Sequence, residues 1–206
     1  MADGPVLQQA SKRAIDAGFK MEALFEHLPE WSALSKAPLI IMSYINPLMR
    51  SGLASTLRRI KACGVGGVII PDEPADAGRL FELTQDAGID LIRLVAPTTP
   101  VDRQRQIVSQ CQGFVYAVAV KGVTGARTTM PPELKDNVRA IKSLTDLPVC
   151  VGFGVAGAAQ VDAILGFADG AIVGSFLMER LMQAEDPLAA VREGMRILGG
   201  VPTEDV

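Results

Sequence analysis

Six short runs of almost purely apolar residues, separated by helical patterns, constrain this chain more than any other feature. The runs are Leu39 to Ser43, Val68 to Ile70, Leu91 to Val95, Phe114 to Val120, Val149 to Val151 and Gly170 to Val173. Between them the helical patterns cover roughly Gly52 to Ala62, Ala75 to Ala87, Val101 to Gln110, Glu133 to Ser143 and Ala158 to Leu165. Ile107 with Cys111, and Val138 with Ile141, keep the spacing of one buried helix face. Pro100 before Val101-Asp102, and Pro131-Pro132-Glu133, carry helix-start signals. A strand without a polar face is covered on both sides, and alternation with helices implies a parallel sheet.

The chain opens differently. Residues 5 to 17 form a helical pattern on Leu7, Ala10 and Ala14, and Met21 to Leu34 form a second one, expected to break at Pro29. No apolar run precedes them. The whole reads as an α/β chain of the (β/α)8 TIM-barrel type, truncated at its N-terminus so that about six strands remain. An open six-stranded sheet is the alternative. A full barrel takes about 250 residues, and this chain has 206. With 49% hydrophobic residues and no linker or low-complexity stretch, residues 1–206 are expected to form a single partial barrel domain.

Three glycine-bearing turns follow apolar runs: Gly122-Val123-Thr124-Gly125-Ala126, Gly152-Phe153-Gly154 and Gly174-Ser175. Glycines at strand exits let the backbone approach a ligand and leave N–H groups free. Amides converging from successive strand ends make a nest for an anion, most often phosphate. In barrels the loops after strands 7 and 8 commonly hold one. A single such turn would read as plain turn glycine; three in series favour the phosphate reading.

The net charge of −3 leaves no basic footprint for nucleic acid. No apolar stretch reaches membrane-spanning length without interruption, and Met-Ala-Asp-Gly-Pro is neither a secretory nor a transit signal. Cys63, Cys111 and Cys150 are an odd set without metal-ligand spacing; reduced structural thiols in a cytoplasmic protein fit them best. The lone His27 lies in a polar helical stretch and reads as a surface residue.

Four further stretches are Ala2-Asp3-Gly4-Pro5 with Gln8 and Ala10, Met42-Ser43-Tyr44-Ile45-Asn46-Pro47, Gly64-Val65-Gly66-Gly67-Val68-Ile69-Ile70-Pro71-Asp72, and Ala96-Pro97-Thr98-Thr99-Pro100. With the glycine turns, in this order and spacing, they resemble the tryptophan synthase α subunit family, from just after its second barrel strand to its C-terminus. The resemblance implies retro-aldol cleavage of indole-3-glycerol phosphate to indole and glyceraldehyde 3-phosphate. It implies no cofactor in this chain. The implied partner is a β subunit that carries pyridoxal phosphate and completes an α2β2 heterotetramer. Neither a nucleic acid nor a membrane is expected as a partner.

The family's site residues carry over position by position. Asp3 corresponds to the carboxylate that attracts the indole N–H; without the resemblance it reads equally as a helix N-cap. Tyr116 corresponds to the active-site tyrosine near the substrate hydroxyl, and its plain alternative is an aromatic packed in the barrel. Tyr44 lines the indole pocket, Thr124 orients the catalytic loop, and Phe153 belongs to the pocket wall. Gly125, Gly154, Gly174 and Ser175 supply the phosphate contacts. Asp72 matches a polar position at the subunit junction, or is a turn carboxylate. Glu73, where the family usually has an apolar residue, adds charge near the expected β-subunit contact.

The family's principal acid/base, a glutamate on the second barrel strand, has no match among these residues. We expect Met1 to be an internal methionine of a longer reading frame. The alternative is a catalytically dead fragment that only binds a phosphate ligand or the β subunit. Unpaired outer strands of such a fragment would expose backbone groups to other chains.

Overall fold

The computed structural model describes residues 3–72, 78–119, 132–152, 154–155 and 157–199. In chain order the elements are α1 (Pro5–Asp16), α2 (Met21–Leu34), β1 (Ile40–Met42), α3 (Ile45–Met49), α4 (Leu53–Ala62) and β2 (Gly67–Ile69). Then come α5 (Gly78–Ala87), β3 (Asp90–Val95), α6 (Val101–Ser109), β4 (Val115–Val118) and α7 (Pro132–Lys142). The last five are β5 (Val149–Gly152), α8 (Ala158–Leu165), β6 (Gly170–Ile172), α9 (Ser175–Gln183) and α10 (Pro187–Ile197).

The strands form a six-stranded sheet whose order is the sequence order, β1 to β6. The pairs β1–β2, β2–β3 and β5–β6 are parallel. All six expected runs are strands, within two residues at each described end. The parallel α/β architecture is as expected. Among the described residues no helix is long and apolar enough to cross a membrane.

Two compact units are distinguishable: Phe19–Leu94 with Pro100–Val115, and Met1–Gly18 with Val95–Thr99 and Tyr116–Val206. In the first, Leu28, Leu57, Ile60, Val68, Leu80 and Leu91 form the centre of an apolar cluster. Asp72 is an exposed turn residue whose carboxylate accepts the Ile45 N–H at 2.9 Å. It thereby satisfies an amide at the start of α3, which has no cap from its own N-cap residue. His27 is exposed and stacks on Trp31 with ring centroids 5.6 Å apart.

One expectation is corrected here. The helix predicted to break at Pro29 runs unbroken through it from Met21 to Leu34. Proline removes the N–H that would reach the carbonyl four residues back, here that of Phe25. The Cys63 thiol lies 3.9 Å from that carbonyl, in donor range for sulfur. Phe25 and Leu28 are buried, and the Arg59 guanidinium sits 4.0 Å from the Phe25 ring centroid. Burial of two large apolar side chains, at about 1.5–3 kcal/mol each, offsets a proline cost of about 3 kcal/mol.

In the second unit β5 and β6 are joined at their N-terminal ends by Asp169. Its carboxylate accepts the Val149 N–H and a Lys142 Nζ bond, both at 2.8 Å. These bonds hold it below the ordinary carboxylate range. Two helices not expected from the sequence, α9 and α10, follow β6. Asp186 caps α10 through the Ala189 N–H at 3.0 Å, with Pro187 in the first turn. Helix α1 packs on α9, where Arg13 donates to the Met182 carbonyl at 3.0 Å.

Candidate active site

The second unit gathers most of the predicted site residues that are described. Asp3 is half-buried in the turn before α1. Its backbone carbonyl accepts the Gln8 side-chain amide at 2.8 Å, and the N-cap of α1 is Gly4 rather than Asp3.

Tyr116 is buried on β4. Its phenol is pushed up to about 12, first by burial and then by the negative charge of Asp3. Each effect disfavours the phenolate. The Asp3 charge thus reaches the phenol, which keeps its proton at neutral pH. Such a phenol is a hydrogen-bond donor at neutral pH and not a base.

A titration follows from this. Tyr44→Phe leaves Tyr116 as the sole tyrosine of the two in the chain, and ultraviolet titration of that variant should show phenolate appearing near 12. The folded value is raised above that of the unfolded chain, about 10. The resulting stabilisation is complete below pH ~10 and is lost as pH rises through the folded value. Ionisation at the ordinary tyrosine pH would contradict the burial of this hydroxyl.

Gly152 explains how Tyr116 fits. The sequence places it in a ligand-facing turn; it is instead the last residue of β5. A Cβ at Gly152 would overlap the phenolic oxygen of Tyr116 and come 2.7 Å from its Cε1. Its missing side chain makes room for the tyrosine ring. The glycine signal was real, but the close approach is by a side chain of this chain.

Two residues on, Gly154 has φ +82°, a left-handed conformation that side chains other than glycine disfavour. In the neighbouring strand, Gly152 is in register with Ile172, so Gly174 follows β6 by the same two residues. Gly174 is the N-cap of α9, and no side chain caps that end. The first intrahelical bond runs from the Met178 N–H to the Gly174 carbonyl at 3.0 Å. The amides of Ser175, Phe176 and Leu177 precede it, as the first donors of any helix do. A Cβ at Gly174 would meet nothing within 4 Å. Adjacent parallel strands thus deliver a left-handed glycine and an uncapped helix start at the same end, an arrangement suited to an anion.

Tyr44 lies in the other unit, half-buried as the N-cap of α3. Thr124, Gly125 and Phe153 fall outside the described residues, as does Glu73. Among the described residues, no group of three or more His, Cys, Asp or Glu side chains could hold a metal ion. The three cysteines are free, and burial pushes the Cys111 thiol up to about 11.

Comparison with known proteins shows the family. The profile of the family described as tryptophan synthase alpha chain matches residues 1–198. The tryptophan synthase alpha chain of Carboxydothermus hydrogenoformans is 44% identical over 180 residues, 87% of this chain and 67% of that protein. That of Synechococcus elongatus is 40% identical over 185 residues, 89% of this chain and 70% of that protein. A solved structure from the α2β2 tryptophan synthase complex of Pyrococcus furiosus superposes with a TM-score of 0.91 at 33% identity. It covers 98% of this chain and 82% of that one. By sequence and by fold, the chain belongs to the tryptophan synthase alpha chain family.

Proposed function

We propose that the chain acts in tryptophan biosynthesis as an α-type lyase, in the cleavage of indole-3-glycerol phosphate to indole and glyceraldehyde 3-phosphate. The observation that carries the reading is a left-handed Gly154 and the uncapped start of α9 at the same end of adjacent strands, in a chain of this family. Asp3 and Tyr116 belong to the same unit.

In this reading the substrate phosphate is held by amides at Gly154, Gly174 and Ser175, with Gly125 completing the cradle. Asp3 accepts the indole N–H and stabilises the positive charge that develops on the ring as its C3 is protonated. Tyr116 donates a hydrogen bond to the glycerol moiety. Thr124 orients the loop over the site, and Tyr44 and Phe153 wall the indole pocket. The bond between indole C3 and the glycerol chain then breaks. Its electron pair returns to the ring as the C3′ hydroxyl loses its proton and becomes the aldehyde carbonyl. Two proton transfers of opposite direction need groups of separated pKa. Asp3 serves the ring nitrogen.

The proton delivered to C3 and the one taken from the C3′ hydroxyl belong, in the family, to its principal acid/base, a glutamate that none of these 206 residues matches. A second reading is that this polypeptide binds the phosphate ligand or the β subunit without turnover. The partner in either reading is a β subunit in an α2β2 assembly, supported by the likeness to a chain of such a complex. Pyridoxal phosphate belongs to that partner. A cytoplasmic setting is supported by the free cysteines.

Indole release from indole-3-glycerol phosphate, with and without the β subunit, tests both readings. It should be run on this chain and on a product extended upstream in the same frame to include the glutamate strand. In the extended product Asp3→Ala is expected to lower turnover by about 10²-fold or more while glycerol 3-phosphate still binds. Turnover retained in that variant would remove Asp3 from the mechanism. An extended product that binds ligand without releasing indole would leave the binding reading standing.

A further inference from the structure

Helix α10 contains a glycine where a helix gains nothing from one. Gly194 lies in its interior, eight residues beyond the Asp186 cap, and interior glycine is disfavoured relative to alanine because it costs backbone entropy. It is also buried, the one buried residue of that helix.

The reason lies across the crossing with α9. A Cβ at Gly194 would stand 2.8 Å from Leu177 Cδ2, 3.3 Å from Arg180 Cδ and 3.7 Å from Phe176 Cε1. Phe176 and Leu177 are the second and third residues of α9. Their amides, with that of Ser175, are the first-turn donors of the uncapped end. One turn on, the Arg180 guanidinium lies 4.3 Å from the Phe176 ring centroid. The bare backbone of Gly194 therefore seats the same turn that presents its N–H groups to an anion. A side chain there has two outlets: Leu177 changes rotamer, or α9 moves off α10 and carries its first turn with it.

We propose that Gly194 is a positioning residue for the phosphate-binding end of α9. The proposal rests on the reading of that end as a phosphate site. Gly194 touches no ligand; it sets where the amides of residues 175 to 177 stand.

The test is calorimetric binding of glycerol 3-phosphate by the full chain, alongside thermal unfolding. Gly194→Leu should weaken binding by about tenfold, the scale of one impaired hydrogen bond to a charged group. Gly194→Ala should weaken it less but in the same direction, and it decides the matter if the leucine variant does not fold. Ile60→Val, a core change in the other unit, lowers stability without touching α9 and should leave affinity unchanged. A folded Gly194→Leu protein with unaltered affinity would overturn the proposal, as would an alanine variant that binds as well as or better than the parent. Affinity that falls in Ile60→Val as much as in the Gly194 variants would reduce Gly194 to a stability effect. Failure of the unaltered chain to bind glycerol 3-phosphate is a separate outcome. It would remove the phosphate reading itself, and this proposal with it.

Discussion

Gly154→Asp is expected to lose nearly all affinity for phosphate ligands. Two effects add at this position. The backbone sits at φ +82°, where an ordinary side chain costs about 1–2 kcal/mol. The new carboxylate would also face a dianionic group. At about 5 Å and an effective dielectric near 20, each charge pair costs about 3 kcal/mol, which alone is about 100-fold in affinity. Gly154→Ala separates the two contributions, because it keeps the backbone strain and omits the charge. Glycerol 3-phosphate titration should therefore rank the parent first, alanine a modest second and aspartate near the limit of detection. Equal affinity in parent and aspartate variant would move the phosphate away from this turn. A strong loss with alanine alone would show that conformation, rather than charge, dominates.

The second large effect is expected at Gly152, and it falls on stability first. A methyl group here overlaps the Tyr116 hydroxyl, and both residues lie in a packed interior. Forced overpacking costs about 1–3 kcal/mol and sometimes more; a loss near the top of that range lowers the melting point by roughly 6–12 °C for a chain of this size. The ring must leave its place, so the phenol titration should also move back toward the ordinary tyrosine value of about 10. A double-mutant cycle with Tyr116→Leu isolates the contact. Once the far end of the ring is gone, Gly152→Ala should cost less by about 1–3 kcal/mol, the usual coupling between touching residues. Strictly additive losses would sink the idea that Gly152 exists to admit Tyr116.

These two glycines show what could be read from the sequence. Both stand in one Gly-Phe-Gly stretch of the sequence, and both were legible as positions where a side chain is excluded. What excludes it was not legible. Gly154 adopts a left-handed backbone, whereas Gly152 accommodates an aromatic ring from the adjacent strand, and the amino-acid letter is the same for each. The six strands were readable because their residues are almost all apolar, which leaves no polar alternation to confuse with a helix. Burial matches that pattern in β2 to β5, whereas β1 exposes Ile40 and Met42 and β6 is half-buried. At Pro29 the sequence carries a local penalty against helix, and the burial of Phe25 and Leu28 that offsets it exists only in the fold. For α10 the start signal, Asp186-Pro187, was present in the sequence, although the expected helical patterns stop at Leu165. The seating of α9 on Gly194 has no signature along the chain at all. Asp3 and Tyr116, 113 positions apart, are linked in the sequence only by the resemblance to a family; the fold places both in one unit.

The order of the sheet, β1 to β6 as the chain runs, bears on how the protein is made. Among the described strands each one after β1 joins the one synthesised just before it, so none of these pairings waits for a segment still inside the ribosome. Loop-closure entropy rises with the length of chain enclosed, and here each closure encloses one helix, or two between β1 and β2, with their connections. The sheet can therefore grow during translation one β/α step at a time, which shortens the interval in which an unpaired strand edge is open to other nascent chains.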